Sequence, residues 1–336
     1  MKMNRQVVLA SYVSDAAKPE NFAMSESAIP EPGEGEFLLR NMYLSMEPAI
    51  RGWVDGKANY FEPIPIGGVI RGPSVGQVVK SCNQDFVEGD LVYALNHWED
   101  YSICHSEAIL LEKLKPETGI PISYYVGSLG GAGATAYIGL HEVGQIQAGQ
   151  TVVVSAAAGA TGSMAGQIAK LCGCTVIGIV GSDKKAKLIV DKFGFDAAIN
   201  YKNDDVTKSV MAIASEGADI YFDNVGGDIL ETVLFHININ ARVLLCGGIS
   251  SGYDAGTLPD GPKNLFSLII KRATMQGFLV LDYLPRSQKA LEEIATWVME
   301  GKLQHREDIQ EGIENCPQTL NRLFTGENKG KQLLKI

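Results

Sequence analysis

Residues 151–170, TVVVSAAAGATGSMAGQIAK, carry a short apolar strand through a run of small residues straight into a helix. Gly159, Ala160, Thr161 and Gly162 fill the turn, where short side chains leave backbone N–H groups and the helix N-terminus open to an anion. That arrangement suits the pyrophosphate of a dinucleotide. The spelling G-x-G-x-x-G is not met, since Ala157 and Ala158 stand where glycines would, and small residues also build purely structural strand-to-helix turns.

The next apolar run, CTVIGIV at residues 174–180, reads as a second buried parallel strand and completes a βαβ unit. In NAD-selective units an acidic side chain at the end of this strand takes the adenosine ribose hydroxyls. Here Gly181 and Ser182 hold that position, with Lys184 and Lys185 just beyond. With no carboxylate to repel it, a ribose 2′-phosphate can be neutralised by an ammonium group at the following helix start, which points to NADP. The rival reading makes Ser182 a helix cap, puts Asp183 in the first turn and leaves both lysines solvated.

Metal chemistry is not encoded in the same way. Cys82, Cys104, Cys172, Cys174, Cys246 and Cys316 are scattered without a C-x-x-C pair, whereas structural zinc wants four closely spaced ligands and catalytic zinc three convergent ones. Cys104 and His105 are neighbours, but adjacent residues of an extended segment point to opposite faces.

The elements that must position these residues fall into two textures. Residues 5–117 are short apolar runs broken by Gly, Pro and Asp; EGEFLLRNMYLSM, GGVIRGPSVGQVVKSC and EGDLVYALNHWEDYSIC each read as a strand of a small antiparallel barrel. Residues 124–281 alternate helix and strand: helices over 132–143 and 183–193, and strands over 197–201, 241–250 and 273–280. The run 218–227, ADIYFDNVGG, is read as a strand passing into a turn, and the alternation is that of a doubly wound α/β sheet. A helix over 287–301 follows, and the final apolar run of GENKGKQLLKI returns to the first domain. The 336 residues, 46% hydrophobic and 20% charged, describe two ordinary globular domains. A net charge of −10 without a Lys/Arg cluster argues against nucleic acid and against anionic membrane surfaces. The start MKMNRQVVLASYV lacks an apolar signal region, so a cytoplasmic location is expected.

The chain resembles the zinc-independent medium-chain dehydrogenases/reductases of the leukotriene B4 12-hydroxydehydrogenase, prostaglandin reductase and 2-alkenal or curcumin reductase type. The carriers, in the family's order and over nearly the whole chain, are YLSMEPAIRGWV, IGGVIRGPSVGQVVKS, GATAYIGL, AAAGATGSMAGQIAKLCGC, GSDKK, NYK, FDNVGG, CGGIS, MQGFLV and GENKGK. The resemblance implies a GroES-like barrel domain over 1–124, completed by 302–336, and a Rossmann NADP-binding domain over 125–301, with NADPH in the cleft between them. It places Gly159, Ala160, Thr161 and Gly162 on the pyrophosphate, and Lys185 and Tyr201 on the 2′-phosphate side. Thr135, Asn224, Cys246, Gly247, Gly248, Ile249, Ser250, Phe278, Leu279, Val280 and Asn328 complete the cofactor set. Without the resemblance, Asn224 reads as an Asx turn, Asn328 as a loop residue and Tyr201 as an ordinary strand tyrosine.

The implied reaction is NADPH-dependent reduction of the C=C bond of α,β-unsaturated aldehydes and ketones, without zinc and in a homodimer. The chain departs from the pattern where relatives carry a carbonyl-polarising tyrosine: Ala49 and Ile270 stand at those positions. Tyr60 and Tyr253 remain as catalytic candidates, Tyr253 offset by one residue and Tyr60 with the alternative of packing on Pro63. Quinone reduction, or NADPH binding without turnover, are the other functions this fold admits.

Overall fold

The computed structural model describes residues 2–14, 17–115, 119–250 and 261–336. These residues fall into two compact units, one holding residues up to 127 together with 307–336, the other holding 128–250 and 261–306.

The first unit begins with a hairpin of β1 (Met3–Leu9) and β2 (Phe22–Ala28). β3 (Glu36–Ser45), β4 (Arg71–Ser81), β5 (Leu91–His97), β6 (Tyr101–His105) and β7 (Glu112–Leu114) then form an antiparallel array. Residues 88–104, expected as one strand, are two, β5 and β6. The break at Trp98, Glu99 and Asp100 is held by β1: Glu99 accepts from the Asn4 and Gln6 side chains at 3.0 and 2.7 Å, and Asp100 pairs with Arg5 at 2.9 Å. Two buried carboxylates must find donors, and the chain turns to reach them.

The second unit opens with α1 (Gly131–Ile138), which runs into a π-helical turn, Gly139–Val143. Six parallel strands follow: β8 (Thr151–Ser155), β9 (Thr175–Val180), β10 (Ala197–Asn200), β11 (Ala218–Asp223), β12 (Ile237–Leu245) and β13 (Thr274–Gly277). Between them lie α2 (Ala160–Leu171), α3 (Asp183–Asp191), α4 (Val206–Ile213), α5 (Gly227–Leu234) and α6 (Phe266–Lys271), and α7 (Leu284–Met299) comes after β13. The order across the sheet is β10-β9-β8-β11-β12-β13. Successive strands step outward from β8 in one direction and then from β11 in the other. The reversal opens a crevice beyond the carboxyl ends of β8 and β11, which is where such sheets hold ligands. Val153, Ile177, Ile179, Ile199, Tyr221 and Val243, each 0–1% exposed, bury one sheet face under Val210, Val233 and Leu234.

Residues 278–280, expected to extend the last strand, leave the sheet. β13 ends at Gly277, the Phe278 ring packs edge-on against Phe222 at 6.2 Å, and Val280–Tyr283 is a 3₁₀ turn. The helix expected over 287–301 starts three residues earlier, with Pro285 in its first turn, where a missing N–H costs nothing.

The chain then returns to the first unit. β14 (Glu307–Glu311), α8 (Cys316–Thr325) and β15 (Lys331–Lys335) follow, and β15 lies between β14, parallel to it, and β3, antiparallel. Ile313, Cys316, Leu320 and Leu334 pack with Leu9, Leu44, Ile50, Trp53 and Trp98 in one core.

Candidate active site

The small-residue turn sits where the sheet order reverses. β8 is buried between β9 and β11, and its last residue leads to Ala156, whose φ of +47° is a left-handed conformation costing about 1–2 kcal/mol without glycine. Gly159 follows as the N-cap of α2, and no side chain caps it. A β-carbon on Gly162 would stand 2.4 Å from the Ala156 carbonyl oxygen and 3.0 Å from the Ala157 Cα. Any side chain there would push helix and strand apart. The first turn of α2 is therefore held against the end of β8 with its N–H groups open, a cradle that fits a pyrophosphate.

At the end of β9, Ser182 accepts from the Lys185 N–H at 3.3 Å and caps α3, while Asp183, exposed in the first turn, accepts from the Asn200 amide at 2.6 Å. The capping half of the rival reading is thus realised. Lys184 is exposed and Lys185 half-buried. Tyr201, 45% exposed, lies across the backbone of Gly181, its phenolic oxygen 3.1 Å from where a β-carbon would be. Gly181 is what lets that phenol come alongside the start of α3.

Between β8 and β11 the site rests on a residue that sequence reasoning missed. The Asp223 carboxylate is 0% exposed and accepts from Ser155 Oγ (2.9 Å), Tyr221 Oη (2.8 Å) and the N–H groups of Val225 and Gly226 (3.0 Å each). Burial and the Asp223 charge lift the Tyr221 phenol far above its ordinary pKa, so it stays a donor. Asn224 is not an Asx turn: its N–H donates to Ser155 Oγ at 2.9 Å and its amide to the Ser155 carbonyl at 2.8 Å. The signal available beforehand was a polar residue ending each of two adjacent apolar strands, SAAAG and DNVGG.

The CGGIS loop is strapped to the same turn. Cys246 and Gly247 donate their N–H groups to the Asp223 carbonyl, Ile249 to Asn224, and Ser250 to Val225, which also accepts from Ser250 Oγ at 2.5 Å. Gly248 lies half-buried within this strap. Burial, reinforced by Asp223, pushes the Cys246 thiol up to about 12, leaving it protonated. Beyond β13, Phe278 and Val280 are half-buried and Leu279 is 38% exposed. Thr135, half-buried on α1, spends its hydroxyl on the Gly131 carbonyl at 2.6 Å.

In the first unit, Asn328 is buried and donates to the Gly330 carbonyl at 3.0 Å. Tyr60 sits in an aromatic cluster. Its ring, 43% exposed, leans on Trp53 (6.3 Å, 85°) and Phe61 (5.1 Å), and burial against them lifts its pKa while Trp53 and Arg71 pull the other way. Tyr253 lies outside the described residues. Ala49 packs against the first unit's core, and Ile270 is 55% exposed on α6.

The donor set of the described residues does not fit a resident zinc ion. Among the described residues no group of three or more His, Cys, Asp or Glu side chains converges. Cys104 is buried, donates to Asn96 Oδ1 at 3.1 Å and is pushed up to about 12 by desolvation, while His105 is exposed. Among the described residues no helix is long and apolar enough to cross a membrane.

Residues 5–111 match the family described as the N-terminal domain of oxidoreductase, and residues 160–297 the family described as zinc-binding dehydrogenase. The chain is 40% identical to the NADPH-dependent curcumin reductase of Escherichia coli K12, covering 99% of this chain and 97% of that one. It is likewise 40% identical to the NADP(+)-dependent 2-alkenal reductase of Nicotiana tabacum, covering 99% and 97%. The crystal structure of CurA in complex with NADPH from Vibrio vulnificus superposes with a TM-score of 0.92 at 42% identity, covering 98% of each chain. The chain belongs to the medium-chain dehydrogenase/reductase family, in the zinc-independent branch of these reductases.

Proposed function

We propose that this protein reduces the C=C bond of α,β-unsaturated aldehydes and ketones with NADPH. The observation that carries the reading is the end-to-end 40% identity with reductases named for curcumin and 2-alkenals. The cradle at Gly162, the open edge at Gly181 and the strapped loop at Cys246–Ser250 fit the cofactor they would hold. Gly159, Ala160, Thr161 and Gly162 bind the pyrophosphate, Lys185 and Tyr201 the 2′-phosphate side, and Thr135, Asn224, residues 246–250, Phe278–Val280 and Asn328 the ribose and nicotinamide. When bound, NADPH supplies hydride to the β-carbon of the substrate.

The chain's own task is to hold the charge that gathers on the carbonyl oxygen. Adding to the β-carbon spreads that charge into an enolate, which a hydrogen-bond donor can stabilise without a metal. Tyr60 is the donor we assign: protonated at neutral pH and exposed enough to meet a ligand. Tyr60→Phe should lower kcat/KM by about one to three decades, as loss of a single oxyanion donor does. An unchanged value in steady-state assays would transfer the role to Tyr253 or to the cofactor's ribose hydroxyl.

Cofactor choice is expected to follow Lys185. A charge-assisted phosphate contact contributes about 1.5–3 kcal/mol, so Lys185→Ala should weaken NADPH by roughly one to two decades and leave NADH nearly untouched. Fluorescence titration with both cofactors reads the difference, and parallel losses would contradict it. NADPH consumption with 2-hexenal, with a quinone and with neither separates enal reduction from quinone reduction and from binding without turnover.

The finer reading is a cytoplasmic homodimer. Six free cysteines suit a reducing compartment. Among the described residues β13 pairs only with β12, and α6 and its cap present Leu265, Phe266, Ile269 and Ile270, 46–69% exposed. A second copy related by a two-fold axis would extend the sheet and cover these side chains; sedimentation velocity reads the state.

A further inference from the structure

Arg71, the first residue of β4, is half-buried on an aromatic floor in the first unit. Its guanidinium carbon lies 4.7 Å from the Phe61 ring centre and 5.4 Å from that of Trp53, and the two rings meet edge-on at 5.4 Å. Tyr60 leans on both rings. One arm of the guanidinium, Nη2, donates to the Glu62 carbonyl at 2.8 Å, while Nε is buried and has no partner among the described residues. No carboxylate of the described residues stands at ion-pair distance from it.

The Glu62 side chain is exposed and forms no ion pair with Arg71, and two further carboxylates of this unit are engaged elsewhere. Glu47 is paired with Lys331 at 2.6 Å and accepts from Ser45. Glu99 accepts from Asn4, Gln6 and Ser102. His97, opposite Arg71 on β5, is held below its ordinary pKa by burial against the pull of Glu99, with Arg71 adding to the depression, so it brings no negative charge. A partly desolvated cation without an anion is costly to fold. The two rings hold the guanidinium carbon, and the N–H groups of such a cation are the part that takes a carboxylate, which arginine can grip in a two-pronged way.

We infer that Arg71, on the floor of Trp53 and Phe61, recognises a carboxylate carried by the substrate, so that the protein favours conjugated carbonyl compounds with an apolar body and an anionic tail. This rests on the reductase reading and names a substrate class within it. Arg71 is a specificity residue: it acts on the tail, while Tyr60 serves the carbonyl.

The test compares benzylideneacetone carrying a para carboxylate with the methyl ester of the same compound. The parent should prefer the carboxylate by about ten- to hundredfold in kcat/KM, the range of a charge-assisted hydrogen bond, chiefly through KM. Arg71→Met, which keeps an apolar stem on the rings, should bring the ratio to within about threefold of one, and Arg71→Lys, which keeps the charge without the fork, should fall between. A parent indifferent to the ester, or a methionine variant that keeps the full preference, overturns the inference. Calorimetric binding of phenylbutyrate against its methyl ester asks the same question without turnover. If neither enone is reduced yet the carboxylate binds better only when Arg71 is present, the reductase reading fails and the anion site stands; equal binding of the two overturns the site.

Discussion

Gly162→Ala is expected to weaken NADPH binding about a hundredfold, roughly 2.7 kcal/mol, and to lower Tm by about 3–8 °C. The added carbon would sit 2.4 Å from the Ala156 carbonyl oxygen, which is backbone and cannot rotate aside. Either α2 lifts from β8 or Ala156, already at φ +47°, distorts further. Overpacking of this kind costs about 1–3 kcal/mol before any ligand is considered, and the helix end that faces the pyrophosphate moves with it. Gly159→Ala makes the graded comparison, because its β-carbon would meet the same oxygen at 3.1 Å and calls for a smaller shift. Titration of both variants should rank them parent, Gly159→Ala, Gly162→Ala. Equal affinities for parent and Gly162→Ala would remove this turn from the cofactor site.

Asp223→Ala carries the largest expected loss of stability, about 3–5 kcal/mol, which corresponds to a Tm lower by about 10 °C in a chain of this size. The carboxylate is fully buried and holds four donors from three segments: Ser155, Tyr221, and the N–H groups of Val225 and Gly226. Removing the acceptor leaves each of them desolvated and unpaired, at about 1–3 kcal/mol apiece before the structure relaxes. Ser155→Ala removes one donor and should cost about 1–2 kcal/mol. Hydrogen exchange should show residues 224–227 losing protection first in the Asp223 variant. Differential scanning calorimetry tests the magnitude, and a shift below about 2 °C would mean that the network does not hold the turn.

The parallel sheet was legible because it is written locally. Short apolar runs such as TVVVS and CTVIGIV, spaced by helix-length segments and punctuated by small residues, leave a doubly wound sheet as the economical solution. Family membership was legible because many motifs recur in one order, each weak alone. The role of Asp223 was not legible, since a buried carboxylate takes its meaning from donors that the fold collects from positions 155, 221 and 225–226. The break between β5 and β6 was hidden for the same reason: Asn4, Arg5 and Gln6, more than ninety residues away, decide where Glu99 and Asp100 turn. Residues 278–280 read as strand because FLV has strand composition, but packing of Phe278 on Phe222 takes them out of the sheet. The aromatic floor under Arg71 joins residues 53, 61 and 71, a spacing with no periodic signature.

The central claim is that hydride goes to the β-carbon of a conjugated carbonyl compound and that the carbonyl survives. Turnover of 2-hexenal with NADPH deuterated at the transferred position, followed by NMR and mass analysis of the product, reads both parts at once. The account predicts hexanal with one deuterium on its β-carbon and little allylic alcohol, because hydrogen-bond donors can hold an enolate while the described residues offer no three-ligand metal set for an alkoxide. Hexenol with deuterium on the carbinol carbon as the main product would contradict it.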